Sequence, residues 1–137
     1  MPKLIAANFK MNGSISFIEE WFDVFNKEDT SSNEVIVALP APYLGMSGNG
    51  NVKISAQNVS AKESGAYTSQ ISVSMIADNN VSYCIIGHSE ARVYLNESNE
   101  DIKAKYDLLI ENKVKPIVCI GESLETRESN EAITCLK

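Results

Sequence analysis

His88 is the only histidine among 137 residues, and it follows the apolar run Tyr83-Cys84-Ile85-Ile86 through a single glycine, Gly87. An apolar run closed by glycine reads as a parallel strand buried on both faces. The carboxyl end of such a strand is where α/β proteins carry their chemistry. Asn8 and Lys10 stand in the same relation to Leu4-Ile5-Ala6-Ala7. Period-two alternation sends Asn8 and Lys10 one way and Phe9 the other. An imidazole, an ammonium and an amide delivered to one rim could hold a small anionic substrate and polarise a carbonyl or enediolate oxygen. Ser89 and Glu90 open a short helical stretch, so His88 lies near a helix N-terminus, whose dipole disfavours the imidazolium and leaves a neutral donor.

Blander readings exist for each residue. An isolated histidine is ordinarily structural, and a surface lysine is ordinarily a solvated charge. The position of both directly after apolar strands is what raises them. Glu90 reads equally well as a partner of Lys10 across the rim and as a common first-turn helix acid. The connector from Asn58 to Gln70 is polar, contains glycine and is long for a βα link, and such loops are often functional. Cys119-Ile120-Gly121-Glu122 closes another strand and reads as a core cysteine followed by a turn. One histidine and scattered cysteines cannot build a zinc site, so no metal is expected. The segment from Gly45 to Gly50 is too irregular for a phosphate loop.

The elements that must position these groups follow from periodicity. Strands are expected at Lys3–Phe9, Glu34–Leu39, Val52–Gln57, Val81–Ile86 and Lys115–Ile120, each short and rich in Ile, Val or Leu. Phe17, Ile18, Trp21, Phe22 and Phe25 share one helical face, with Ser16 and Glu19 spaced as a capping box at its start. Ile71, Met75 and Ile76 mark a short helix. Ile102, Tyr106, Leu109 and Ile110 mark a longer one, capped more weakly by Ser98 and Asp101. Residues Tyr43 to Gly50 read as a helical turn running into a glycine-rich connector. The order is β-α repeated five times, which favours a parallel sheet with right-handed crossovers. Periodicity alone leaves an open doubly wound sheet and a closed barrel both standing.

Composition narrows the function. Hydrophobic residues are 44% and charged residues 22%, ordinary for a globular chain, and 137 residues suit a single domain, 1–137. Twelve basic against eighteen acidic side chains give a formal charge of −6, and with no basic cluster this argues against nucleic acid. Any anionic ligand must be held by local donors. Cys84, Cys119 and Cys135 are an odd set and read as reduced thiols of a cytoplasmic protein. No run approaches the length of a membrane span, and Met1-Pro2-Lys3 leads into a strand without a signal-peptide core.

Taken together, Ala7-Asn8-Phe9-Lys10-Met11-Asn12-Gly13, Ala56-Gln57-Asn58, Gly65-Ala66-Tyr67-Thr68, Ile86-Gly87-His88-Ser89-Glu90 and Cys119-Ile120-Gly121-Glu122 resemble the triosephosphate isomerases, in order and spacing and over essentially the whole chain. That family is itself the standard example of a histidine kept neutral by a helix N-terminus. The resemblance implies a partial (β/α)8 barrel of about five parallel strands with alternating helices. It implies interconversion of dihydroxyacetone phosphate and glyceraldehyde 3-phosphate through an enediolate, without a cofactor. Lys10 would meet the substrate phosphate and the developing oxyanion, and Asn8 would hydrogen-bond the substrate. His88 would be the electrophile, Glu90 would position Lys10, and Ser89 would touch the catalytic carboxylate. Thr68 would reach into the partner subunit of a homodimer, with Gln57 and Asn58 supporting the site and that contact. Ser69-Gln70 stand where the family usually has Gly-Glu, Ala91 where it has the first of two arginines, and Asn96 where it commonly has glycine.

The family's barrel has eight strands and roughly 250 residues, and its base, lid and late phosphate loops come after the fifth strand. The expectation is therefore an amino-terminal piece, inactive alone for want of the general-base glutamate, with two open sheet edges and a bare inner face. The alternative is an open-sheet α/β module that binds a small phosphate ester without turning it over.

Overall fold

Short β-branched runs alternating with amphipathic segments fold as a β/α chain. The structure is a computed structural model that describes residues 3–29, 32–46 and 51–135. Its strands are β1 (Lys3–Asn8), β2 (Asn33–Leu39), β3 (Val52–Ala56), β4 (Tyr83–Ile86) and β5 (Lys115–Val118). Its helices are α1 (Ile15–Phe25), α2 (Val73–Asp78), α3 (Ser89–Tyr94), α4 (Asn99–Glu111), α5 (Leu124–Glu128) and α6 (Ala132–Cys135). The sheet order is β1-β2-β3-β4-β5, and every neighbouring pair is parallel. A sheet that advances one strand per crossover, with no reversal of order, curls as part of a barrel and has no switch point. The architecture is a half-barrel, a partial (β/α)8 fold.

Alternation along the strands decides what is buried. Val35, Val37, Leu39, Val52, Ile54, Ala56, Cys84 and Ile86 join Ile18 and Phe22 of α1 and Ile102 and Leu109 of α4 in one core cluster. Each Val, Leu, Ile or Phe side chain among them contributes about 1.5–3 kcal/mol of transfer free energy. The alternate residues Ile36, Ala38, Ser55 and Ile85 face the other side and are buried too. The inner face is thus filled along the central strands, where a bare face was expected, because the curl shields its own middle. The edges behave otherwise. All six residues of β1 are exposed, and β5 is no more than half-buried. Burial on both faces holds for the central strands alone, since an edge strand lacks one neighbour and its helical cover.

The helix ends correct several details. Ser14, not Ser16, caps α1: its backbone is extended (φ −141°, ψ 167°) and its side chain accepts from the Phe17 N–H, the conformation an N-cap requires. Ser16 lies inside the helix. Ser98 and Asp101 form a complete, reciprocal capping box on α4. On that helix Ile102 and Leu109 are buried as expected, but Lys105 is buried with them, while Tyr106 and Ile110 are exposed. On α2, Ile76 is buried and Met75 points out. Residues Ala41–Tyr43 form a 3-10 turn; the rest of the connector expected there, 47–50, lies outside the described residues.

Candidate active site

β1 ends at Asn8, and the chain then turns sharply. Lys10 has φ +52°, a left-handed conformation that costs a non-glycine residue roughly 1–2 kcal/mol. Three side chains hold it. Asn8 Oδ1 accepts from the Lys10 N–H at 2.8 Å, Asn12 Nδ2 donates to the Phe9 carbonyl at 3.0 Å, and Gln57 Nε2 donates to the Lys10 carbonyl at 2.8 Å. Gln57 also donates to the Ala38 carbonyl at 3.0 Å, tying the ends of β1 and β2 together. Phe9 anchors the turn by packing edge-on against Trp21, with ring centroids 5.6 Å apart. Simple strand alternation therefore does not extend to Lys10. Asn8 turns back onto the backbone, and the turn sets the direction of the ammonium.

β4 delivers His88 to the same rim. His88 is the N-cap of α3, and its Nδ1 accepts from the Glu90 N–H at 3.2 Å. That bond assigns the proton of a neutral ring to Nε2, which is free to donate outward. Glu90 bridges the two strands. Its Oε1 lies 2.9 Å from Lys10 Nζ, and its Oε2 lies 3.5 Å from His88 Nδ1. The second contact is an ion pair only for a protonated ring, whereas the shorter N–H···Nδ1 bond suits the neutral one. The hydrogen bond from Lys10 holds the Glu90 carboxyl below the ordinary carboxylate range, and the Lys10 charge adds to it.

The other expected site residues lie elsewhere. Asn58 does not join Lys10. It donates to Glu97 Oε1 at 3.1 Å and accepts from Lys105 Nζ at 3.0 Å, within a buried cluster. Thr68 lies on an exposed loop with no hydrogen bond to Asn8 or Lys10 among the described residues. Its neighbour Ser69, at the position of the family's glycine, has φ +76°, and Asn96, also at a family glycine, has φ +54°. Asparagine tolerates that region better than serine does. Among the described residues no group of three His, Cys, Asp or Glu side chains is placed to hold a metal, and no helix is long and apolar enough to cross a membrane.

Residues that pattern reading passed over complete the site. Glu97 Oε2 accepts from the Gly87 N–H at 3.0 Å, and Arg92 Nε donates to the Gly87 carbonyl at 2.8 Å. A buried acid paired with a buried lysine on the next helix has no period that marks it in sequence. The grip of Gln57 on a carbonyl is likewise invisible until the strand ends are adjacent.

Known proteins resemble this chain in sequence. A family model described as triosephosphate isomerase matches residues 3–137. The triosephosphate isomerase of Mycoplasma capricolum subsp. capricolum is 44% identical over 136 residues, which are 96% of this chain and 54% of that protein. That of Alkaliphilus oremlandii is 41% identical over 142 residues, 98% of this chain and 56% of the other. That of Debaryomyces hansenii is 40% identical over 131 residues, 92% and 53% respectively. The chain spans about half the length of the curated relatives it matches. With Lys10, His88 and Glu90 at one rim of a partial barrel and the family model matched over residues 3–137, the chain belongs to the triosephosphate isomerase family.

Proposed function

We propose that these residues form the electrophilic half of a triosephosphate isomerase active site, interconverting dihydroxyacetone phosphate and glyceraldehyde 3-phosphate. The observation that carries the reading is that Glu90 meets both strands' residues, its carboxylate on the Lys10 ammonium from β1 at 2.9 Å and its backbone N–H on His88 Nδ1 from β4 at 3.2 Å. In the proposed reaction the Nε2–H of a neutral His88 polarises the substrate carbonyl, and the Lys10 ammonium balances the phosphate and the developing oxyanion. A proton leaves one carbon and returns to the other through an enediolate, while His88 moves protons between the two oxygens. Asn8, whose Oδ1 is committed to the Lys10 N–H, has its amide NH2 left to meet the substrate. No cofactor takes part.

Glu90 is held by Lys10 and is poorly placed to serve as the carbon base. We take that base to be a carboxylate of the barrel's carboxy-terminal half, so that residues 1–137 alone turn over slowly. A missing general base costs about 10²–10⁴ in rate. We also take the working form to be a homodimer in which the Thr68 loop meets a second copy. The exposure of Met11 and Tyr67 supports such a contact. A cytoplasmic setting accords with three free cysteines.

A chimaera tests the reading: residues 1–137 joined to the carboxy-terminal half of the Mycoplasma capricolum relative, assayed with both triose phosphates. Turnover is expected, falling about 10²-fold or more in His88→Asn and in Lys10→Met. A folded chimaera that binds a triose phosphate without turning it over would favour the non-catalytic module instead. Activity that survives His88→Asn would remove the electrophile.

A further inference from the structure

The peptide groups on either side of Gly87 are each held by a charged side chain, Glu97 on the N–H and Arg92 on the carbonyl. Gly87 itself has φ +67°, and a Cβ built there would lie 3.0 Å from both Arg92 Nη2 and Ile102 Cδ1. A side chain there would be strained by the positive φ and would press on both neighbours. His88 is the next residue, so the direction of its ring depends on a backbone pinned at both polar atoms.

Glu97 is fixed in turn. Glu97 and Lys105 are 8% and 7% exposed and form an ion pair. Asn58, just past β3, donates to one member and accepts from the other. A buried pair of this kind is a weak source of net stability, because desolvation offsets much of the attraction. What it does supply is geometry: it ties the end of β3 and helix α4 to the peptide that precedes His88.

We propose that Glu97 is a positioning residue for His88. Locked by Lys105 and Asn58, its carboxylate holds Gly87 so that His88 keeps Nδ1 on the Glu90 N–H and presents Nε2 to the rim shared with Lys10. The catalytic meaning of this rests on the isomerase reading; the placement of the ring does not.

Because the chain has one histidine, long-range proton–nitrogen correlation spectra report a single imidazole. At neutral pH the unsubstituted chain is expected to show one dominant tautomer, protonated at Nε2. Glu97→Leu combined with Lys105→Met removes the carboxylate and leaves no buried charge behind. In that variant the Nε2–H form is expected to give way to a mixture of tautomers. Glu97→Gln combined with Lys105→Met returns an acceptor to the Gly87 N–H and restores the original pattern. Ile76→Ala, a core truncation outside the network, lowers stability without moving the imidazole signals. If the Leu/Met variant does not fold, Glu97→Asp decides, since it keeps the charge beside Lys105 but falls one methylene short of Gly87. An unchanged imidazole pattern in the variant that folds, or an equal change in Ile76→Ala, overturns the proposal. An inactive chimaera whose ring responds as expected overturns the isomerase reading alone.

Discussion

Gln57 Nε2 donates to the carbonyl oxygen of Lys10 at 2.8 Å across 47 residues of sequence, and so secures a lysine whose backbone sits in the left-handed region. Strain of this kind, about 1–3 kcal/mol, persists only where neighbours over-determine it. Gln57→Ala frees the Lys10 carbonyl, lets the turn relax and moves the ammonium away from Glu90. In the chimaera, turnover is expected to fall about 10²-fold, the usual cost of a misplacement near 1 Å, with loss in kcat as well as KM. Steady-state kinetics beside a thermal melt check this. Full activity in a folded Gln57→Ala protein would mean that the Lys10 turn holds itself.

The Lys10–Glu90 pair predicts a pH dependence of stability. Hydrogen bonding from Lys10 depresses the Glu90 carboxyl from its ordinary value of 4.5. A group whose folded pKa is depressed contributes stability that is complete above the unfolded value and lost as pH falls through the folded one. The stability difference between the unsubstituted chain and Glu90→Gln should therefore be constant above pH 4.5 and shrink below it. Urea midpoints from pH 7 down to pH 3 measure it. A difference that widens on acidification contradicts the pairing.

Much of this fold was legible because it rests on local periodicity. The five strands fall within a residue or two of their apolar runs, since short β-branched segments between turn residues have few other ways to be buried. The curl is not legible in periodicity, since only the sequential order of strands separates it from a doubly wound sheet and pairing order is a long-range property. It is the motif resemblance that implies the partial barrel the structure has. In the site, the strand ends carrying Asn8, Lys10 and His88 could be read, as could Glu90 as a possible bridge. Lys105 could not, because a lysine on an amphipathic helix is ordinarily outside. It is buried because Glu97 and Asn58, both distant in sequence, meet it there. Asn58, which the resemblance gives only as a support of the site, does so through Glu97 and Lys105, a partnership its motif does not show.

That buried pair predicts a marked asymmetry. Lys105→Met alone leaves Glu97 buried without its counter-charge and should destabilise by about 3–5 kcal/mol, whereas adding Glu97→Leu should recover most of the loss. Chemical denaturation of the single and double variants is sufficient. Equal losses in both would mean that Lys105 reaches solvent.

Ser69 occupies a position suited to glycine. With φ +76°, its Cβ bears a cost of roughly 1–2 kcal/mol, part of which glycine would return as entropy of the unfolded chain. Ser69→Gly should raise stability by about 0.5–1 kcal/mol on the same scale. A destabilised Ser69→Gly would show that the serine makes a compensating contact in the loop.

Cysteine reactivity tests the placement of β4, and with it the rim. Burial pushes the Cys84 thiol up to about 12, and desolvation raises Cys119 as well, while Cys135 is exposed. The thiolate is the reacting species, so an aromatic disulfide reagent at pH 8 should modify Cys135 at once, Cys119 slowly, and Cys84 only as the chain unfolds. The Cys84 rate should then follow denaturant concentration, as an unfolding-limited step does. Prompt reaction of all three thiols in the folded protein would place β4 outside the core. His88 follows Cys84 by four residues on the same strand and its turn, so its approach to Lys10 would fall with that result.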